Sequence, residues 1–189
     1  VESFNLINSW SDVTLSTWLQ LIDFETGTKT EEATETIAAL SDIPKKLIKE
    51  LSLSDVAVIM SKVGELQAKQ DTKLKRIIEI NGVEYGFHPD LDSISLGEYA
   101  DIEQFIKNGI DKQLPELMSV LYRPVKLKKN DIYIIDSYDG DIRLRAEEMK
   151  LMSAEQVQSA LVFFYTLGKV LSEILPLYLM ERLKETKTQ

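Results

Sequence analysis

An excess of nine negative charges over 189 residues, with no cysteine and a single histidine, removes several classes of function before any motif is read. The acidic field repels nucleic-acid phosphates, and no lysine- or arginine-rich block offsets it locally. Missing cysteines exclude a disulfide framework, thiol nucleophiles and thiolate metal sites, and the lone imidazole of His88 excludes any site that needs two. Apolar residues at 44% and charged residues at 28% are ordinary for a globular protein. A chain of this length buries roughly 70% of its unfolded surface, enough for a real core.

The opening VESFNLINSW lacks the basic start and apolar stretch of a secretion signal, so the chain reads as cytosolic. Asp12 or Thr14 can cap a short helix over 15–22, in which Leu15, Trp18, Leu19 and Ile22 share a face. Thr30 is expected to open a second helix, with Glu31 and Glu32 in its first turn and Ala33, Ile37 and Leu40 as its apolar stripe. Ser41-Asp42-Ile43-Pro44 ends that helix and starts another. Ser52-Leu53-Ser54-Asp55 has the spacing of a capping box for a helix over 53–66 that carries Val56, Ile59, Met60 and Val63.

The polar run Gln67 to Lys73 is the best candidate boundary. It divides a helical part, 1–66, from an α+β part, 74–189, and the two can pack as one domain. After it the period changes: 75–80 and 83–87 are strands joined by Asn81-Gly82, which supplies the two positive φ angles of a type I′ turn. Pairing Ile80 with Val83 sets Ile78 opposite Tyr85, with Glu79 and Glu84 on the other face. Ser95-Leu96-Gly97-Glu98 is a second capping box, opening a helix whose stripe is Leu96, Tyr99, Ala100, Ile102, Phe105 and Ile106. Asn108-Gly109 closes it with a left-handed cap. A helix over 114–122 is stopped by Arg123-Pro124, and 125–135 reads as a strand or strand pair.

A short helix around 145–150 leads to Ser153-Ala154-Glu155-Gln156, a third capping box. It opens a long final helix, 154 to about 184, that Pro176 should kink or split. Lys169, Glu173 and Pro176 interrupt its apolar run, which excludes a membrane span. Apolar residues surround this helix almost completely, so Leu161, Val162, Phe163, Phe164, Tyr165 and Leu167 are either core or a partner interface. The fold class is therefore α+β and predominantly helical: capped N-terminal helices, a central hairpin with a small antiparallel sheet, and a long C-terminal helix. Tyr99, Phe105 and Leu121 are expected to dock on 161–171.

Candidate chemistry is sparse. His88 with Asp90 and Asp92 is the one cluster from which a metal-dependent or hydrolytic site could be built, yet a histidine between a strand and a proline is an ordinary turn residue. Asp90 to Ser93 lacks the glycine and terminal glutamate of a calcium loop. Asp139 and Asp141 flank Gly140 in a turn. Arg123 has Asp101, Glu103 or Glu116 as possible ion-pair partners. There is neither a phosphate loop nor a GxSxG elbow. No catalytic residue, metal ligand or cofactor is assigned.

The ordered segments 9–15 (SWSDVTL), 51–55 (LSLSD), 80–85 (INGVEY), 95–103 (SLGEYADIE), 117–124 (LMSVLYRP) and 160–165 (ALVFFY) carry a resemblance. Together they resemble a family of small tailed-bacteriophage morphogenesis proteins, similar to tail and baseplate-hub assembly chaperones. The resemblance spans nearly the whole chain, although every motif in it is structural. It implies a non-enzymatic protein without cofactors that contacts phage tail, baseplate or connector proteins in the host cytoplasm. A structural virion component at the tail or head-tail junction, and a homo-oligomer, are implied as alternatives. From another class, a small hydrolase or metal-dependent enzyme would have to use His88.

Overall fold

Capping chemistry sets most of the helix starts. Ser9 and Asp12 cap a 3-10 turn over Trp10–Asp12, and Thr14 Oγ1 accepts from the Thr17 amide at 3.2 Å at the start of α1, Leu15–Phe24. The second helix, α2, Lys29–Leu40, begins two residues earlier than the sequence suggests, because its cap is Thr28 rather than Thr30. Thr28-x-x-Glu31 completes a reciprocal box: Thr28 Oγ1 accepts from the Glu31 amide, and the Glu31 carboxylate accepts from the Thr28 amide at 3.0 Å. Helix α3 is a single turn, Lys45–Ile48, after Pro44, and α4 runs Leu53–Ala68 behind Ser52. The computed structural model describes residues 3–24, 27–69 and 73–165, apart from the side chains of Phe24 and Asp92.

The hairpin forms in the expected register. Strand β1, Ile77–Ile80, pairs with β2, Val83–Phe87, placing Ile80 opposite Val83 and Ile78 opposite Tyr85. Asn81 and Gly82 take φ of 52° and 76°, as a type I′ turn requires. Helix α5, Leu96–Lys107, carries the full Ser95–Glu98 capping box and ends before Gly109 at φ 93°. Helix α6, Leu114–Leu121, passes directly into β3, Tyr122–Lys129. The strand thus starts before Pro124 rather than after it, since the residues ahead of a proline favour extended angles and Tyr122 already has φ −114°, ψ 124°. Strand β4, Ile132–Ile135, returns through a turn with Asn130 at φ 55°, and the antiparallel order is β1-β2-β3-β4. Helix α7, Arg143–Met149, precedes α8, of which 154–165 are described. Ser153 and Gln156 cap α8 reciprocally: the Gln156 amide donates to Ser153 Oγ at 3.1 Å and the Ser153 amide to Gln156 Oε1 at 3.2 Å.

The main core packs α1, α5, α6 and the start of α8 against the sheet. Phe87 is its hub, meeting Tyr122 edge-on at 5.2 Å and Phe163 at 5.5 Å. Backbone bonds join the two halves of the chain: the Leu15 amide donates to Met152 O and the Ala154 amide to Val13 O, both at 2.7 Å. Around them Trp10, Val13, Leu40, Val63 and Ala154 form a second cluster.

Helix α5 corrects the expected stripe. Ile102 and Phe105 are buried, but Leu96 (84%), Tyr99 (59%) and Ile106 (48%) lie open to solvent. Accordingly Phe105 and Leu121 join the core against which Leu161, Phe163 and Phe164 pack, while Tyr99 does not. The expected span to 184, Pro176 and Leu167 lie outside the described residues.

Candidate functional site

The end of β2, the start of α5 and the start of β3 converge on a buried polar cluster. Because side chains alternate along β2, Phe87 enters the core and His88 emerges on the face shared by Gly86 and its register partner Arg123. The Ser95–Glu98 box fixes the first turn of α5 so that Glu98 meets them there. Glu98 Oε1 lies 2.8 Å from Arg123 Nη2 and 3.5 Å from His88 Nε2, and all three side chains are below 10% exposed. The arginine contact is an ion pair rather than an aligned hydrogen bond, and Arg123 Nε has no acceptor among the described residues.

Two further groups extend the cluster. The Arg123 guanidinium lies 5.7 Å from the centre of the Tyr138 ring, and the Tyr138 hydroxyl donates to Asp101 Oδ2. Arg145 Nε donates to Ser119 O at 2.8 Å, and its Nη2 lies 3.5 Å from Asp139 Oδ1. Asp139 also accepts from the Asp141 amide at 3.0 Å, closing the turn at Gly140.

Burial pushes the His88 imidazole below its ordinary value, with the nearby Arg123 charge assisting and the Glu98 and Asp90 carboxylates opposing. Burial also pushes Glu98 upward, but hydrogen bonds from the Ser95 hydroxyl and amide, then the Arg123 charge, outweigh it and leave Glu98 below the usual carboxylate range. The cluster at neutral pH is therefore a neutral imidazole beside a carboxylate–guanidinium pair. Its three segments come from distant parts of the chain and are locked together by it.

The structure corrects two expectations here. His88, expected as an ordinary turn residue, is a buried member of the cluster. Arg123 pairs with Glu98, which also completes the α5 cap, rather than with Asp101, Glu103 or Glu116. Asp90 is exposed on the loop after His88. Arg76, Phe87, His88, Asp90 and Phe163 are among the residues around a hollow of about 120 Å³, well short of the roughly 300 Å³ at which ligand pockets begin. Among the described residues no group of histidines and carboxylates has the arrangement of a metal site. Nor does any described helix have the length and apolarity to cross a membrane.

The predicted partner surface on α8 divides. Leu161, Phe163 and Phe164 pack on the core, whereas Val162 (46%) and Tyr165 (53%) face solvent. Two further apolar surfaces lie elsewhere among the described residues. One is the α5 stripe. The other is the outer face of the β3–β4 hairpin, where Leu127, Ile132 and Ile134 are more than half exposed. Strict alternation in β4 would have revealed it, since Tyr133 and Ile135 are the buried pair.

Comparison of the chain with protein-family models, with curated proteins and with solved structures gives no match.

Proposed function

We propose that this chain is a non-enzymatic, chaperone-like assembly protein of a tailed bacteriophage that works through contacts with tail, baseplate or connector proteins. The observation that carries the contact-based reading is the amount of aliphatic and aromatic side chain left in water on α5, α8 and the β3–β4 hairpin. Large apolar groups gathered on one face of an element, rather than scattered singly, point to a partner. The ordered motifs of the sequence supply the phage assignment. In this reading the cluster of His88, Glu98 and Arg123 is structural: the carboxylate is neutralised by the guanidinium, and among the described residues no hydroxyl contacts the imidazole.

The test is a pulldown of tail, baseplate and connector proteins encoded beside this chain, using purified components. Retention of one of them supports the reading, and retention of none overturns it. Mass spectrometry of mature particles then separates a chaperone, which leaves, from a virion component, which stays in fixed stoichiometry.

A further inference from the structure

The apolar surfaces on α5 and on the β3–β4 hairpin complement each other. On the hairpin, register places Leu127 beside Ile134 and Lys129 beside Ile132, so the outer face carries three aliphatic groups and one cation. Lys128, paired in register with Tyr133, belongs to the opposite face and bridges Glu84 at 2.6 Å. Lys129 has no ion-pair partner among the described residues, nor has Lys126 at the bulge. The hairpin, with Lys126, Lys128 and Lys129 against Asp131, is a basic element in a chain of net charge −9.

On α5, Leu96, Tyr99 and Ile106 lie on one stripe with Glu103 among them, flanking the buried Ile102 and Phe105. Glu103 is held by Lys107 at 3.0 Å, a solvated pair that exchanges readily for another cation. Three apolar groups and the exposed Glu103–Lys107 pair on the helix thus face three apolar groups and one cation on the hairpin, with Lys129 placed to compete with Lys107 for Glu103.

We propose that these surfaces are the two halves of a single contact between copies of this chain. The hairpin face of one copy seats on the α5 stripe of the next, with Lys129 meeting Glu103. Acidic copies repel each other over most of their surface, so a self-contact is favoured where the basic hairpin can take part. The contact either repeats from copy to copy as a ring or an open chain, or closes as a reciprocal pair in which each hairpin seats on the other copy's helix. This goes beyond the phage reading: it gives the α5 and hairpin surfaces to the self-contact and leaves Val162 and Tyr165 on α8 to an assembly partner.

The test is light scattering on the purified full chain over a wide concentration range. The wild type should form species larger than a monomer. A hairpin variant (Ile132→Ser with Ile134→Ser) and a helix variant (Leu96→Ser with Tyr99→Ser) should each be monomeric, with unchanged circular dichroism because all four sites are exposed. Mixed one to one, they should give a dimer and nothing larger, because each retains one intact half. Should either double variant fail to fold, the charge pair replaces it. Lys129→Glu or Glu103→Lys alone weakens association by about tenfold, and both in one chain restore it. A monomeric wild type, a mixture that stays monomeric, or a helix variant that assembles like the wild type overturns the proposal; the last would mean that hairpin pairs with hairpin.

Discussion

Glu98 Oε1 stands 2.8 Å from Arg123 Nη2 with both side chains at most 5% exposed, which makes this pair the polar joint between α5 and the sheet. Removing one partner of a buried pair strands a charge and costs about 3–5 kcal/mol, whereas replacing both with apolar groups is often nearly neutral. Arg123→Met is therefore expected to lower the unfolding free energy by about that amount. Glu98→Leu should cost a similar amount plus about 1 kcal/mol for the lost cap. The double variant should lose much less than the sum, as read by urea unfolding in a double-mutant cycle.

Acid should weaken the fold in two stages. The folded His88 binds its proton less readily than the unfolded residue, whose ordinary value is 6.5, so stability present above that pH is lost as pH falls below it. Glu98 is also depressed; its contribution is present above its ordinary 4.5 and is lost as pH falls through the lower folded value. His88→Asn should flatten the upper stage, which has a slope of at most about 1.4 kcal/mol per pH unit, and leave the lower one. Denaturant unfolding from pH 8 to about pH 2 covers both. An unchanged upper slope in the variant would place the titrating group elsewhere.

Gly86 is required by contact rather than by backbone angle. A Cβ there would lie 2.5 Å from Tyr133 Cε2 and 2.8 Å from Ile135 Cγ2. The Tyr133 ring is held in place by its hydroxyl, which donates to Phe87 O at 2.6 Å. Gly86→Ala is expected to cost about 1–3 kcal/mol through overpacking. Combining it with Tyr133→Ala should recover part of that loss, and thermal melts of the two variants decide the point.

The α8 cluster separates core from surface. Phe163→Ala removes a ring that packs edge-on against Phe87 and should cost about 2 kcal/mol or more. Tyr165→Ser, at an exposed position, should change stability by no more than about 0.5 kcal/mol. Equal losses at both positions would contradict the division of this surface.

What the sequence revealed about the fold was whatever is decided within a few residues. The register of β1 and β2 followed from Asn81-Gly82, and the boxes at Ser95 and Ser153 followed from side chains reaching back to the nearest turn. The cap at Thr28 was missed because Thr30 offers the same hydroxyl next to the same glutamates. The cluster of His88, Glu98 and Arg123 was illegible because its members meet only when β2, α5 and β3 do, and because Glu98 was already explained by its cap. The α5 stripe misled for a related reason. Amphipathic spacing shows that one face is apolar, but it cannot tell a face that meets the core from one that meets another protein. On α5 the buried face, with Ile102 and Phe105, and the exposed face, with Leu96 and Tyr99, together form the broad stripe.

As proposed above, this chain works by apolar contact with tail, baseplate or connector proteins. The most direct test is a pulldown with purified tail, baseplate and connector proteins encoded beside it, comparing the wild type with an α8 surface variant, Val162→Ser with Tyr165→Ser. The account predicts that the wild type retains at least one of these proteins and that the variant, equally stable, loses it. Equal retention by the folded variant, or no retention by the wild type, would contradict it.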